Sequence, residues 1–194
     1  MASKRAITKT APSRQRRGAV VYARLASFLI FWIALLLPED ARSEQSLEYQ
    51  VKAAFLLNFT KFIEWPPSAM PPDKPFALCI LGSDPFDGAL HQIVAGESIN
   101  GRKVVVEKIQ PPQANSCQIV FVSRAEKDVP RFLSALPPGI LTVGDGDGFL
   151  REGGQIAFVV ENRRVRFDIN QKAATSAGLK LSSKLLSVAR FVER

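Results

Sequence analysis

The stretch FALCILGSDPF, residues 76–86, decides the fold class. Its first six residues, Phe76 to Leu81, are all apolar, which is typical of a β-strand that is buried on both faces of a sheet. The next residues form a turn, in which Asp84 has the features of a helix N-cap and Pro85 those of a first helical residue. A buried strand that leads directly into a capped helix indicates a parallel α/β sheet.

The same alternation continues along the chain. Further strands are predicted over residues 103–107, 118–123 and 140–143, with helical segments between them. Residues 155–161 and 164–169 flank a short polar break and predict a hairpin. We therefore expect a three-layer α/β domain with a mostly parallel sheet of about six strands, flanked by helices and closed by a terminal antiparallel hairpin.

Two amphipathic helices are predicted at the ends of this domain. The first covers residues 47–63, and its apolar sector is wider than a helix lying on one sheet usually needs. We assign the extra sector, Leu56, Phe59 and Ile63, to self-association, with core packing as the alternative. The final helix follows Gly178 and carries its apolar residues on one side: Leu181, Leu185, Val188 and Val192.

The N-terminal segment carries most of the positive charge. Residues 1–43 hold eight basic and two acidic residues, a net charge of +6 out of +8 for the chain. Six of the basic residues lie before Gly18, and 13 uncharged residues, 25–37, and a small-residue site at Ala41 to Ser43 follow. These parts predict a secretory signal peptide over 1–43, with a retained membrane anchor as the alternative.

Cleavage would leave residues 44–194 as a single periplasmic domain. It holds 18 basic and 16 acidic residues, so its net charge is only +2 and does not favour a nucleic-acid partner.

Two cysteines, Cys79 and Cys117, lie in and just before the first and third strands of the predicted α/β unit. These strands are neighbours if the sheet has the flavodoxin-like order. Exported proteins usually oxidise their cysteines, so we expect a structural disulfide. Two separate buried thiols are the alternative.

No catalytic motif is present in the sequence. It contains neither G-x-S-x-G nor H-E-x-x-H, and His91 is its only histidine. The glycine-rich loop 144–148 lacks the oxygen ligands of a calcium loop and the Gly-Lys-Ser/Thr of a phosphate loop. We expect no catalytic residues, no metal and no cofactor. A small-ligand sensor remains the alternative function, with a site formed by Asn58, Lys61 and Gly82.

Several blocks of the sequence resemble the YfiR/HmsC-like family of periplasmic proteins. They run in order over nearly the whole of residues 44–194: VKAAFLLNFTKFIEWP at 51–66, CILGSDPF at 79–86, GRKV at 101–104, CQIVFVS at 117–123, RFDIN at 166–170 and GLKLSSKLL at 178–186.

The resemblance implies a non-catalytic periplasmic regulator. Such proteins bind the periplasmic sensor domain of an inner-membrane diguanylate cyclase, or another membrane sensor, and repress it. Repression lowers cyclic di-GMP and biofilm formation, and an outer-membrane lipoprotein partner releases it. The resemblance does not fix the partner.

A surface that binds such a partner needs apolar anchors within a polar rim. We assign this role to Phe149, Glu161, Phe167 and Ile169, with core packing as the alternative for Phe167 and Ile169. The extra sector of the first helix makes a homodimer a further expectation. Some relatives carry a second cysteine pair near residues 145–154, which this chain lacks.

Overall fold

The computed structural model describes residues 40–111 and 113–194. The helices in these ranges are α1 (Asp40–Phe59), α2 (Ala89–Val94), α3 (Val129–Ser134), α4 (Gly148–Arg151), α5 (Gln171–Ser176) and α6 (Ser183–Val188). The strands are β1 (Ile63–Glu64), β2 (Phe76–Leu81), β3 (Ser98–Ile99), β4 (Arg102–Ile109), β5 (Ile119–Val122), β6 (Leu141–Asp145), β7 (Ile156–Glu161), β8 (Arg164–Asn170), β9 (Lys180–Leu181) and β10 (Phe191–Glu193).

Eight of these strands form one sheet in the order β10-β8-β7-β6-β5-β2-β4-β3. Strands β4, β2, β5, β6 and β7 are parallel, whereas β8 is antiparallel to β7. Numbered along the chain, the five parallel strands follow the 2-1-3-4-5 order of flavodoxin-like folds. Strands β1 and β9 form a separate antiparallel pair.

Helices cover both faces of the large sheet. On one face, α1, α2, α5 and α6 contribute to a core that contains Leu56, Leu90 and Leu185. On the other face, α3 and α4 pack around Phe132 and Phe149. The expected three-layer architecture with a mostly parallel sheet and an antiparallel β7–β8 hairpin is confirmed. The sheet has eight strands rather than about six, because the short strands β3 and β10 carry no apolar run that would predict them.

Both terminal helices are shorter at their C-terminal ends than the sequence pattern predicts. Helix α1 ends at Phe59, and Ile63 lies in β1, where it pairs with Leu181 of β9. Helix α6 ends at Val188, and Val192 belongs to β10 beside β8. The chain leaves α6 because the backbone N–H of Arg190 donates to the carbonyl of Phe167, while the Arg190 guanidinium pairs with Asp168. These tertiary contacts override the helical periodicity.

The disulfide between Cys79 and Cys117 is confirmed. Strands β2 and β5 are neighbours, and the Cα atoms of the two cysteines lie 5.9 Å apart. Both residues are buried in the core on the α3–α4 face. The bond closes a loop that includes β3 and β4, and therefore fixes the central strands β2 and β5 to each other.

The predicted signal peptide falls almost wholly outside the described residues, and it stays a prediction. No helix within 40–111 and 113–194 has the length and apolar character needed to cross a membrane. Within the same two ranges, no three His, Cys, Asp or Glu side chains come together as a metal-binding group.

The double variant Cys79→Ala/Cys117→Ala is expected to lose about 4 kcal/mol of unfolding free energy, because its unfolded chain is no longer held in a closed loop of this length. Urea denaturation followed by circular dichroism measures the change. Wild-type protein unfolded in a reducing agent is the control, since it loses the cross-link but keeps both sulfur atoms. Equal midpoints for the variant and the oxidised wild type would contradict the structural role.

Candidate partner-binding groove

Helix α1 presents an apolar ridge that its own sheet does not cover. Leu47, Val51 and Phe55 recur every four residues, so they lie on one side of the helix. Leu47 and Val51 are exposed, and Phe55 is half-buried. Phe62, just beyond the end of the helix, continues the ridge as a further exposed apolar side chain.

A second wall faces this ridge and completes a groove. It consists of Val160 and Val165 on the β7–β8 hairpin and of Leu185 and Val188 on α6. The groove comprises two adjoining pockets of about 540 Å³ each, and both are lined by Phe55. We call this feature the α1 groove: its lining is Leu47, Val51, Phe55, Asn58, Phe59, Phe62, Val160, Val165, Phe167, Leu185 and Val188, with Glu44, Glu48, Arg163, Arg164, Lys184 and Ser187 at its rim.

The α1 groove gathers most of the exposed apolar surface. Among the described residues, six large hydrophobic side chains are exposed, and five of them line this groove. The sixth, Phe191, pairs in register with Asp168 of β8. Both neighbours of Asp168 belong to the core beneath α1, so the alternation along β8 places Asp168 and Phe191 on the opposite face of the sheet. A clustered apolar surface of this kind marks an interaction site more often than scattered residues do.

A buried ion pair fixes helix α1 to the sheet. Lys52 is 2% exposed, and its Nζ lies 2.7 Å from Oδ1 of Asp145, whose side chain is 1% exposed at the end of β6. The same ammonium pairs with Glu48 one turn earlier on α1 and lies over the ring of Tyr49, 4.4 Å from its centroid. These contacts satisfy a charge that would be very costly to bury alone.

Tyr49 belongs to the same cluster. Its hydroxyl donates to Oδ2 of Asp145 at 2.7 Å. Burial raises the pKa of the Tyr49 phenol well above its ordinary value near 10, and the hydrogen bond to the Asp145 carboxylate raises that pKa further. The phenol therefore stays a hydrogen-bond donor at physiological pH. Together Tyr49 and Lys52 set the position of α1, and with it one wall of the groove.

Arg190 fixes the segment that follows the other wall. Its Nε donates to Oδ1 of Asp168 at 2.8 Å, and its terminal nitrogens lie 3.3 Å from Oδ1 of Asp147 and 3.9 Å from Oε1 of Glu161. The hydrogen bond to Asp168 raises the pKa of Arg190, so the guanidinium remains charged. Glu161, predicted to bind a partner, is exposed at the end of β7 and belongs to this cluster. The cluster holds β10 against β8 immediately after α6.

Phe149, predicted as a partner-binding anchor, is a core residue that is only 4% exposed, so it does not present its ring at the surface. Its ring packs against the backbone of Gly144 and Gly154. A Cβ atom built at Gly144 would lie 2.5 Å from the ring, and one at Gly154 would lie 2.2 Å from it. The glycine-rich sequence around residue 144 thus makes room for an aromatic side chain instead of a ligand.

Five other predicted interface residues are also buried. Phe167 and Ile169 point into the core beneath α1, so they are not free anchors; Phe167 reaches only the floor of the groove. Leu56, Phe59 and Ile63, predicted to drive self-association, are covered as well. The wide apolar sector of α1 arises because this helix is packed by the sheet, by α6 and by the β1–β9 pair at once, instead of by a sheet alone.

Two of the residues predicted to bind a small ligand come together, and the third does not. Asn58 and Lys61 are exposed near the end of α1, where Nζ of Lys61 donates to Oδ1 of Asn58 at 3.3 Å. Lys61 also shares a pocket with Asn100, just before β4. Gly82 shares a different pocket with Gln110, just after β4. The two pockets lie beside opposite ends of β4, and a strand of eight residues is about 25 Å long. Lys61 and Gly82 therefore lie near opposite ends of the strands.

Sequence reasoning missed the surface that the structure exposes. Leu47, Val51 and Val188 are apolar residues at helical spacing, a pattern that does not distinguish a buried face from an exposed one. No local sequence pattern indicates that the β7–β8 hairpin and α6 leave these three side chains uncovered.

This fold and this groove define the chain as an α/β domain with an exposed apolar groove. A family model described as YfiR/HmsC-like matches residues 49–190. The chain therefore belongs to the YfiR/HmsC-like family, which is regulatory rather than catalytic.

Other comparisons add little. No curated protein sequence matches the chain. Among solved structures, the chain is similar to the ABC domain in complex with L-Trp from Streptococcus pneumonia, with a TM-score of 0.41 and 14% identity over 60% of this chain. The match spans 55% of that protein's chain. A similarity of this size carries no conclusion about ligand or partner.

Lys52→Met is expected to lower the free energy of unfolding by about 3–5 kcal/mol, because the buried carboxylate of Asp145 loses its cationic partner. The triple variant Tyr49→Phe/Lys52→Met/Asp145→Leu removes the buried charges together and should regain most of that stability. Lys180→Met is the matched control: Lys180 pairs with Glu64 at 3.8 Å on the surface, and its loss should cost less than about 1 kcal/mol. Chemical denaturation measures all three, and equal losses for Lys52→Met and Lys180→Met would contradict the account.

Gly154→Ala is expected to destabilise the protein by about 1–3 kcal/mol, because the added methyl group must displace the ring of Phe149. Gly148→Ala is its control, since the nearest atom to that Cβ is a terminal nitrogen of Arg151 at 3.8 Å. Thermal unfolding of both variants tests this. A loss no larger for Gly154→Ala than for Gly148→Ala would show that the ring does not need the bare backbone.

Proposed function

We propose that this protein is a periplasmic, non-catalytic regulator that binds the periplasmic sensor domain of an inner-membrane signalling protein, a diguanylate cyclase, and represses it. Repression lowers cyclic di-GMP and biofilm formation. An outer-membrane lipoprotein that competes for the regulator fits the same scheme as a releasing partner. Membership of the YfiR/HmsC-like family supports the class of function, and the α1 groove is the observation that carries the proposal.

The groove supports binding of a protein. Its centre is apolar, formed by Val51, Phe55 and Val188, and its rim is charged, with Glu44 and Arg164 among its residues. Protein interfaces commonly combine an apolar centre with a polar rim. The residues around the rim stand on rigid elements, because the Lys52 cluster fixes α1 and the Arg190 cluster fixes the chain beyond α6. A preformed surface loses little conformational entropy on binding.

Repression by such a regulator works through a difference in affinity. If the regulator binds the inactive state of the sensor domain more tightly than the active one, it shifts the sensor toward inactivity by that ratio alone. No chemical step in the regulator is needed. Any side chain whose replacement weakens binding to the inactive state should therefore raise cyclic di-GMP.

Deletion of the gene in its native bacterium is expected to raise cyclic di-GMP and biofilm, and the wild-type gene should restore both. Val188→Glu should fail to restore them, because it places a charge in the centre of the groove. Phe191→Glu is the matched control: its side chain is 56% exposed, against 59% for Val188, but it lies outside the groove. Cyclic di-GMP is measured by mass spectrometry, with immunoblots to equalise protein levels.

Two results would contradict the proposal. One is unchanged cyclic di-GMP after deletion. The other is full repression by Val188→Glu at a protein level equal to that of Phe191→Glu.

A further inference from the structure

The shape of the α1 groove narrows the kind of partner segment that fits it. The ridge from Leu47 to Asn58 covers eleven residue steps of α1, about 16 Å or three helical turns. The opposite wall follows the hairpin and then α6 over the same stretch. The result is an elongated channel whose floor is formed by the buried Phe59 and Phe167 and whose walls carry exposed apolar side chains.

An added β-strand does not suit this channel. The strand next to it, β8, already pairs with β7 on one side and β10 on the other. Strand β10 covers Asp168 to Asn170, and the carbonyl of Phe167 accepts from Arg190, so the free edge of β8 is only three residues long, Arg164 to Arg166. An extended peptide would therefore find few free N–H and C=O groups there. A segment that satisfies its own backbone is needed, and a helix does so.

The charges at the rim of the groove determine which sign of charge each flank of the bound segment should carry. Glu44 stands on the α1 side, whereas Arg163 and Arg164 stand on the hairpin side and Lys184 on α6. Glu48, also on the α1 side, is already paired with the buried ammonium of Lys52. The ion pair between Arg163 and Glu44 is 3.8 Å long and highly exposed, so it opposes rearrangement weakly. The exposed rim thus carries charges of both signs on opposite sides, which suits a segment with one basic and one acidic flank.

We infer that the α1 groove binds a single amphipathic α-helix of about three turns, whose apolar stripe has basic residues along the flank facing α1 and acidic residues along the flank facing the hairpin and α6. The inference deepens the proposed function and rests on it only for the source of the helix, the periplasmic domain of the membrane sensor. The apolar stripe contacts Val51, Phe55 and Val188. The flanks meet Glu44 on one side, and Arg163 and Arg164 on the other.

The test uses synthetic helical peptides and the purified protein, so it does not depend on the cyclase. The probe is a labelled peptide of about four turns with a leucine stripe, one lysine flank and one glutamate flank. Three matched peptides carry lysine on both flanks, glutamate on both flanks, or two aspartates within the leucine stripe. Fluorescence polarisation at low salt measures affinity, and hydrogen exchange locates the contact.

The mixed-flank peptide should bind the wild type and Phe191→Glu equally, and Val51→Glu or Val188→Glu at least about tenfold more weakly. Peptides with both flanks alike should bind more weakly than the mixed one, and the broken stripe should abolish binding. Slower exchange should appear within residues 47–62, 160–167 and 185–188. Circular dichroism checks that the glutamate variants remain folded.

Several outcomes would overturn the inference. One is no binding of the mixed-flank peptide, and another is equal binding of the wild type and Val188→Glu. If light scattering shows a dimer that Val188→Glu dissociates, the groove holds a second copy of this chain instead. If vesicles of phosphatidylethanolamine and phosphatidylglycerol retain the wild type but not Val188→Glu, the occupant is a lipid surface. Peptide binding without any effect of Val188→Glu on cyclic di-GMP would leave the helix site standing and remove the proposed function.

Discussion

The buried ion pair between Lys52 and Asp145 is the interaction on which the functional surface depends. It joins α1 to the C-terminal end of β6, and Tyr49 adds a hydrogen bond to the same carboxylate. A buried charge of this kind contributes little net stability, since its desolvation offsets its attraction. The ion pair instead fixes the position of α1. A helix held only by apolar contacts can shift along the sheet, but a shift of α1 would separate the Lys52 ammonium from Asp145 and leave both charges buried without a partner. Because α1 forms one wall of the α1 groove, the ion pair also sets the shape of the groove.

The parts of the fold that follow from local sequence were predictable. The apolar run of β2 and the hairpin around Asn162 each carry their own signal, and the cysteine spacing fits neighbouring strands. The predicted helix start at Asp84 and Pro85 was wrong: Asp84 accepts a hydrogen bond from the backbone N–H of Phe86 in a turn, and α2 begins only at Ala89. Strand β10 was not predictable, because three residues after a helical pattern become a strand only through contacts of Arg190 with Asp168 and Phe167. The candidate site was not predictable for the same kind of reason. Whether Val188 or Phe167 is exposed depends on where α6 lies against α1, which no local pattern encodes.

The corrections share a physical cause. Phe149, Phe167 and Ile169 resemble interface anchors in the sequence, yet each fills the core beneath a short helix or beneath α1. The side chains left at the surface are those of Leu47, Val51, Phe62, Val160 and Val188, which carry no distinctive motif in the sequence. Their significance comes from lying around one groove, while the rest of the described surface offers only Phe191 as an exposed large hydrophobic residue. The regulatory role proposed for this member of the YfiR/HmsC-like family therefore rests on a surface assembled by tertiary packing.

The most direct test of the central claim is site-specific photo-cross-linking in the native bacterium, with a photoreactive amino acid placed at Val51, at Val188 or at Phe191. If the α1 groove is the docking surface for a membrane sensor, positions 51 and 188 should each yield a cross-link to the same inner-membrane protein, and position 191 should yield none. Cross-linking from position 191 alone, or equal cross-linking from all three positions, would contradict the account.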